Sequence, residues 1–320
     1  MGSSRWSDDF YSERARERKA TGTADFAYSK AVTSKPRHEQ KTHEKLDPKG
    51  VRIRESRDSA AHPESLAIGV MLDVTGSMSH VPVIVQSALP KLMGMLTGKG
   101  IVAHPQILFG AVGDARSDRG SLQVGQFESG IEMDEDLRNF WLENGGGGGE
   151  PQESYQNAVY FFARHTSTDC FEKRGKKGFL FLMGDERPYP NVLRSEIQAI
   201  CGDGLEADIS TAEIVREAQA KYHVFYIMPD GTSHAGDPSI IGSWTQLLGA
   251  DHVLRLTDAA FVCETIAATI GLTEGTATLQ SVTEGLVGRA ADVVQAVVRP
   301  LATQAGRVGT AAPAATVARL

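Results

Sequence analysis

Cysteine is scarce in this 320-residue chain: Cys170, Cys201 and Cys263 are the whole complement, an odd number without metal-ligand spacing. That excludes a disulfide scaffold and a zinc ribbon, and it fits a reducing compartment. No run approaches the roughly 20 apolar residues of a membrane span. The opening Gly2-Ser-Ser-Arg-Trp-Ser-Asp8 has no apolar core, so no secretory leader is visible there and the chain reads as cytoplasmic. Clustered positive charge is also missing from most of the sequence. Residues 1–60 carry 14 Lys/Arg against 10 Asp/Glu, whereas the remainder carries 19 against 30. An acidic body argues against nucleic-acid binding, which needs grouped Lys and Arg on phosphate. The glycine run Gly145–Gly149 is not followed by Gly-Lys-Ser/Thr, and Glu150 would repel phosphate, so a phosphate-binding loop is not expected. His80 and His104 have no paired nucleophile, and no catalytic triad is legible.

What is present divides into three regions. Residues 1–64 are polar and without apolar periodicity, and they read as an extended or disordered arm with scattered aromatics, Trp6, Phe10, Tyr11, Phe26 and Tyr28. Residues 65–273 alternate strand and helix signals. Strands are expected at Leu66–Leu72, Ile107–Val112, Leu122–Phe127, Phe179–Met183, His223–Met228 and His252–Leu256. Helices are expected over Pro82–Leu96, Glu135–Glu143, Glu153–Arg164, Ser210–Lys221, Trp244–Leu248 and Ala259–Ile270. Too few residues separate the second and third strands for a helical crossover, so these two form an antiparallel edge hairpin. The fold class is therefore α/β, a doubly wound and mostly parallel six-stranded sheet flanked by irregular tails. Residues 274–320 turn Ala- and Val-rich: Leu279–Val298 can form a helix with Leu286, Val293, Val294, Val297 and Val298 on one face. After Pro300 the composition is low-complexity and reads as disordered.

The richest stretch is Met71-Leu-Asp-Val-Thr-Gly-Ser-Met78. Side chains alternate along a strand, so Asp73, Thr75 and Ser77 can converge as the first strand opens into a loop. One carboxylate and two hydroxyls are hard oxygen donors, suited to a magnesium-like ion that keeps room for further ligands. The loop also follows the carboxyl end of a strand, where open α/β sheets place ligands. Read alone, the same residues could form an Asx-type turn capping the next helix.

This spacing resembles the metal-ion-dependent adhesion site of the von Willebrand factor A (vWA) domain, in its Asp-x-Thr-x-Ser variant, over about two thirds of the chain. The resemblance implies a vWA/Rossmann-like fold, Mg²⁺ or Mn²⁺ at the site, and no chemistry by the domain itself. It implies that Asp185, after the strand Phe179–Met183, completes the ion site. The family usually supplies a Thr from the loop that is here Asn144-Gly-Gly-Gly-Gly-Gly-Glu-Pro-Gln-Glu-Ser-Tyr155. With no Thr present, Glu150 before the helix-starting Pro151 is the first substitute, with Glu153 and Ser154 as others. Asp114, at the end of the second strand, and Ser154 are candidates for orienting water or a hydroxyl near the ion. The implied partner is a protein donating an Asp or Glu carboxylate; intracellular bacterial members often work with AAA+ ATPases of the MoxR type. The implied role is an adaptor or assembly factor, without a membrane.

Two other classes compete. A strand ending in Asp-Val-Thr-Gly-Ser superficially resembles the haloacid-dehalogenase nucleophile loop, which would make Asp73 the nucleophile of a Mg²⁺-dependent phosphoryl-transfer hydrolase. Thr75 then stands where that family needs an acid, so the general acid is missing. RNA association is the third class, since some ribonucleoproteins carry vWA domains, but no base-stacking motif accompanies the mixed-charge arm.

Overall fold

A computed structural model describes residues 5–21, 26–78, 80–143, 151–284, 286 and 288–308. Its centre is a six-stranded sheet: β1 (Leu66–Asp73), β2 (Pro105–Val112), β3 (Leu122–Val124), β4 (Gly178–Met183), β5 (Tyr222–Pro229) and β6 (Val253–Leu256). The spatial order is β6-β5-β4-β1-β2-β3. All neighbours are parallel except β2 and β3, which pair antiparallel with Ala111 opposite Gln123. Every residue of β1, β2 and β4 is buried, as a parallel sheet covered by helices on both faces requires. The fold is thus the mostly parallel α/β sheet with one antiparallel edge strand expected from the sequence, consistent with a vWA- or Rossmann-like architecture. Among the described residues, no helix is long and apolar enough to cross a membrane.

The order of strands positions the site. From β1 the chain moves to one side, through β2 and β3, and then crosses to β4 on the other side. The carboxyl ends of β1 and β4 therefore flank the point where the winding reverses, the place where open α/β sheets bind their ligands. Asp73 is the last residue of β1, and Asp185 follows β4 by two residues.

Several boundaries differ from the sequence reading. Expected strand Leu122–Phe127 ends at Val124. The helix expected at Trp244–Leu248 begins earlier, at Pro238, because Asp237 caps it by accepting from Ser239 N and Pro238 suits its first turn. The expected helix Leu279–Val298 is two, Leu279–Thr283 and Arg289–Val308, separated by Gly288 at φ 56°. Arg289–Val308 also runs through Pro300, so the disorder expected after Pro300 is corrected up to Val308. Val293, Val294, Val297 and Val298 are buried, and the helix packs on Val262–Glu274. Its apolar face is spent within this chain. Residues 309–320 lie outside the described set.

Residues 26–64, expected as part of an extended or disordered arm, lie on the body in the structure. Phe26, Val32 and Leu46 are buried, Phe26 and Leu46 within the common core. Residues Arg54–Ser56 pair parallel with Thr166–Thr168. Val124 N donates to Leu46 O at 2.8 Å, which satisfies a ladder donor on the edge strand β3 and covers it against pairing with another chain. These anchors are single apolar residues far apart in sequence, so they leave no periodic signal. Leu46→Ala is expected to cost about 2–5 kcal/mol, the range for emptying a filled core position, read as a lowered midpoint in urea unfolding. An unchanged midpoint would mean the segment lies on the body without stabilising it.

Candidate functional site

Asp73 is fully buried, and both its oxygens are engaged. Oδ1 accepts from Thr75 N at 2.9 Å and Thr75 Oγ1 at 2.6 Å, the local geometry of an Asx turn. Oδ2 accepts from the Tyr155 hydroxyl at 2.5 Å. Thr75 Oγ1 lies 3.1 Å from Ser77 Oγ, and Ser77 Oγ donates to Asp185 Oδ1 at 2.7 Å. Asp185 Oδ2 accepts from His234 N at 3.0 Å. Four hard-oxygen side chains from two strand ends therefore form one continuous line of close oxygens, with Thr75 and Ser77 each giving its proton to a carboxylate. Ser77 is partly exposed, so the chain meets solvent there. The Asx turn and the convergence on Asp185 coexist; the turn is what brings Thr75 and Ser77 round.

The remaining sequence candidates separate. Glu150 lies outside the described residues. Glu153 is buried, and the two-residue strand Gln152–Glu153 pairs parallel with Arg187–Pro188 just beyond Asp185. Ser154 Oγ accepts from Ala115 N at 2.9 Å and braces the loop after β2. Asp114 accepts from Arg116 N and Ser117 Oγ, which is turn chemistry. Its charge nevertheless reaches Glu153 and Glu186. Three residues were not singled out from sequence: Tyr155, Glu186 and His234. Glu186 follows Asp185 directly and its Oε1 lies 3.7 Å from His234 Nε2. Nothing local marks Tyr155; it is brought to Asp73 by the packing of the helix Tyr155–Arg164.

Electrostatics at this edge are dominated by mutually repelling carboxylates. Burial raises the Asp73 carboxyl well above its usual range, with the Asp185 charge adding to the rise. Burial raises Glu153 further, and Asp73 and Glu186 add to it. Glu186 is pushed up to about 8, by burial first and then by Asp73 and Asp185. Tyr155 is raised well above the ordinary phenol value, by burial and by Asp73, so it stays a donor. Glu153 Oε2 and Glu186 Oε2 are buried without a hydrogen-bond partner among the described residues. Orphaned buried carboxylate oxygens cost free energy unless protonated or paired with a cation. Among the described residues no three His, Cys, Asp or Glu side chains are grouped closely enough to hold a metal by themselves. The donor set here is a mixed one, two carboxylates and two hydroxyls, with further carboxylates behind. Hard oxygens of this kind fit a magnesium-like cation.

No family model and no curated protein matches the chain. Among solved structures it is similar to the pilus adhesin SpaC from Lactobacillus rhamnosus GG, at 10% identity and TM-score 0.46, over 68% of this chain and 31% of that one. Proximal thread matrix protein 1 from the mussel byssus matches at 10% identity and TM-score 0.41, over 68% and 49%. The conserved hypothetical protein BatB from Bacteroides thetaiotaomicron matches at 9% and TM-score 0.40, over 66% and 98%. The matched part thus spans about half or less of the byssus and pilus proteins. At such low identities and scores, nothing about the site is drawn from these likenesses.

Proposed function

We propose that this chain is a divalent-cation-dependent protein-binding module, an adaptor or assembly factor rather than an enzyme. Asp73, Thr75, Ser77 and Asp185 would hold Mg²⁺ or Mn²⁺, and a partner protein's Asp or Glu would complete the shell. The observation that carries this reading is the unbroken line of close oxygens from Asp73 to Asp185 at the carboxyl ends of β1 and β4. Glu153, with its orphaned Oε2, would be an acidic ligand beside Glu150, which stays the first candidate for the place of the family's Thr. The cation would supply a positive centre that balances these carboxylates and attracts the partner's carboxylate. A MoxR-type AAA+ ATPase is the first partner class to try, on the strength of the resemblance alone.

Asp73 as a phosphoryl-transfer nucleophile is less favoured. Both its oxygens already accept hydrogen bonds, and Thr75, the residue two further on, bonds to Asp73 itself. Calorimetric titration with Mg²⁺ and Mn²⁺ separates the two classes when run on wild type, Asp73→Asn and Ser77→Ala beside an assay with p-nitrophenyl phosphate. Saturable binding lost in Asp73→Asn and weakened in Ser77→Ala, with no turnover, is the expected result. Metal-dependent hydrolysis lost in Asp73→Asn would replace the binding module with an enzyme.

A further inference from the structure

The strap that crosses the edge strand β3 is basic in an acidic protein. Residues 30–54 hold 8 Lys/Arg against 3 Asp/Glu, whereas the whole chain has a net charge of −7. If attraction to the acidic body held this strap down, ion pairs would run along it. Its attachment is of another kind. Val32 and Leu46 are buried, Leu142 N donates to Ser29 Oγ at 3.0 Å, and Val124 N donates to Leu46 O. Lys35, Arg37 and Lys41 are exposed and form no ion pair among the described residues. Only at the margins do such contacts occur, with Lys45 3.8 Å from Glu135 and His38 3.5 Å from Glu39.

These cations stand on a fixed turn. Gln40 Nε2 donates to Lys35 O at 2.9 Å and to Thr33 O at 3.1 Å, and the Tyr28 hydroxyl donates to Lys41 O at 2.8 Å. A fourth cation comes from the loop between β2 and β3. Arg119 Nη1 donates to Arg37 O. Next to it Gly120 seats against the strap, where an added Cβ would fall 3.2 Å from Thr42 Oγ1. Arg119 is exposed and likewise forms no ion pair among the described residues. Its acidic neighbour Glu143 accepts from the N–H groups of Arg119 and Gly120, at 2.8 and 3.0 Å. The same loop runs back to the cation site. Ala115 N donates to Ser154 Oγ at 2.9 Å, and the charges of Asp114 and Asp118 reach Glu153 and Glu186. One short loop thus joins the basic cluster to the edge that holds Asp73.

A partner that brings one carboxylate to the cation has this loop beside it, and an extended segment advances about 3.3 Å per residue. Fixed cations without partners favour a segment with further acids, since charge complementarity steers encounter and selects partners. A nucleic acid fits less well. Its phosphates would run beside Asp114 and Asp118, and Tyr28 and His43 meet each other edge-on at 4.7 Å instead of offering a stacking platform.

We infer that the partner at the cation site is a protein segment with several Asp or Glu residues, one carboxylate closing the cation's shell and the others lying on Arg119, Arg37, Lys35 and Lys41. This rests on the cation reading above, and the test separates the two. Mn²⁺ calorimetry comes first, then anisotropy in Mn²⁺ with two labelled peptides of equal length, one with four Asp/Glu and one with a single Asp. Both are run on wild type, Lys35→Gln/Arg37→Gln and Arg52→Gln, an exposed cation at the strap's other end; matched thermal melts verify folding. Mn²⁺ should bind all three proteins equally. The four-acid peptide should bind wild type more tightly than the single-acid peptide, and less so as salt rises. Its affinity should fall about threefold to tenfold in Lys35→Gln/Arg37→Gln, as for two exposed charge pairs, and stay unchanged in Arg52→Gln. Absence of Mn²⁺ binding overturns the cation reading and this one with it. Mn²⁺ binding with equal affinity for the two peptides, or with no loss in Lys35→Gln/Arg37→Gln, overturns the acidic segment alone. Four-acid peptide binding as strong in EDTA as in Mn²⁺ detaches the basic surface from the cation and overturns the shared site. A single-stranded oligonucleotide that displaces the labelled peptide better than unlabelled peptide does gives the surface to nucleic acid instead.

Discussion

Raising the pH of the metal-free protein from about 6.5 to about 8 should lower its melting temperature, and Mg²⁺ should remove much of that fall. Asp73, Glu153 and Glu186 all titrate higher folded than unfolded; Glu186 moves from 4.5 to about 8. Above the ordinary carboxylate range the unfolded chain has released these protons while the native state still holds them. Stability is then present at low pH and lost as pH rises through the folded values. Each such group contributes at most about 1.4 kcal/mol per pH unit. Half-buried His223 and His252 titrate low because of desolvation, which gives the opposite slope, but only below about pH 6.5 where an unfolded histidine titrates. The salt-bridged Asp58 and Asp169 are held low by Arg174 and Lys173 against the pull of burial, and act only in acid. Asp136, raised by burial to about 7 near the Lys45 segment, adds a fall that a cation at Asp73 would not relieve. Thermal melts in EDTA and in Mg²⁺ across this window, on wild type and Asp73→Asn, check the expectation. A cation present at 100 times its dissociation constant stabilises by about 2.7 kcal/mol. An identical pH profile with and without Mg²⁺ would sink the idea that the cation replaces protons at this edge.

The sheet was legible because its strands are long apolar runs separated by helical periods, and burial on both faces writes itself into the sequence as continuous Val, Ile, Leu and Phe. Asp73, Thr75 and Ser77 were legible as candidates because their geometry is local: period two at the end of a strand, then a turn. Asp185 could be named only through the family resemblance, which implies an Asp after the central strand. The burial of Glu153 beside Asp73 could not be read from the sequence, because it depends on a ladder with Arg187–Pro188 more than thirty residues away. Tyr155 was invisible for the same reason: its role depends on which way a helix face turns toward β1. The packing of Leu46 and Phe26 rests on isolated side chains, which periodicity arguments pass over. The helix through Pro300 was missed because proline normally stops a helix, whereas here burial of the valine face holds it.

Gly184→Ala is expected to be among the most damaging single changes, although it adds one methyl group. A Cβ at Gly184 would fall 1.8 Å from Tyr155 Oη and 2.6 Å from its Cζ. The ring has no room to withdraw: Tyr226 and Trp244 meet it edge-on with centroids 6.0 and 5.4 Å away. Gly184 itself is tied down, its N–H donating to Ile227 O at 3.1 Å. Either the strand end or the tyrosine must move, and overpacking of this kind costs about 1–3 kcal/mol or more. Displacing the hydroxyl also takes a donor from buried Asp73, worth about another 1–3 kcal/mol. Tyr155→Phe isolates that second cost, since the ring stays and only the hydroxyl goes. The two changes should then combine non-additively: with the hydroxyl absent, the shortest clash disappears, and the double variant should be less destabilised than the sum of the singles. Urea unfolding of the four proteins measures this cycle, and Mg²⁺ titration of the same set asks whether the oxygen chain survives. Strict additivity would mean that Gly184 and Tyr155 act separately, and that the close approach of β4 to this hydroxyl is not what holds Asp73 in place.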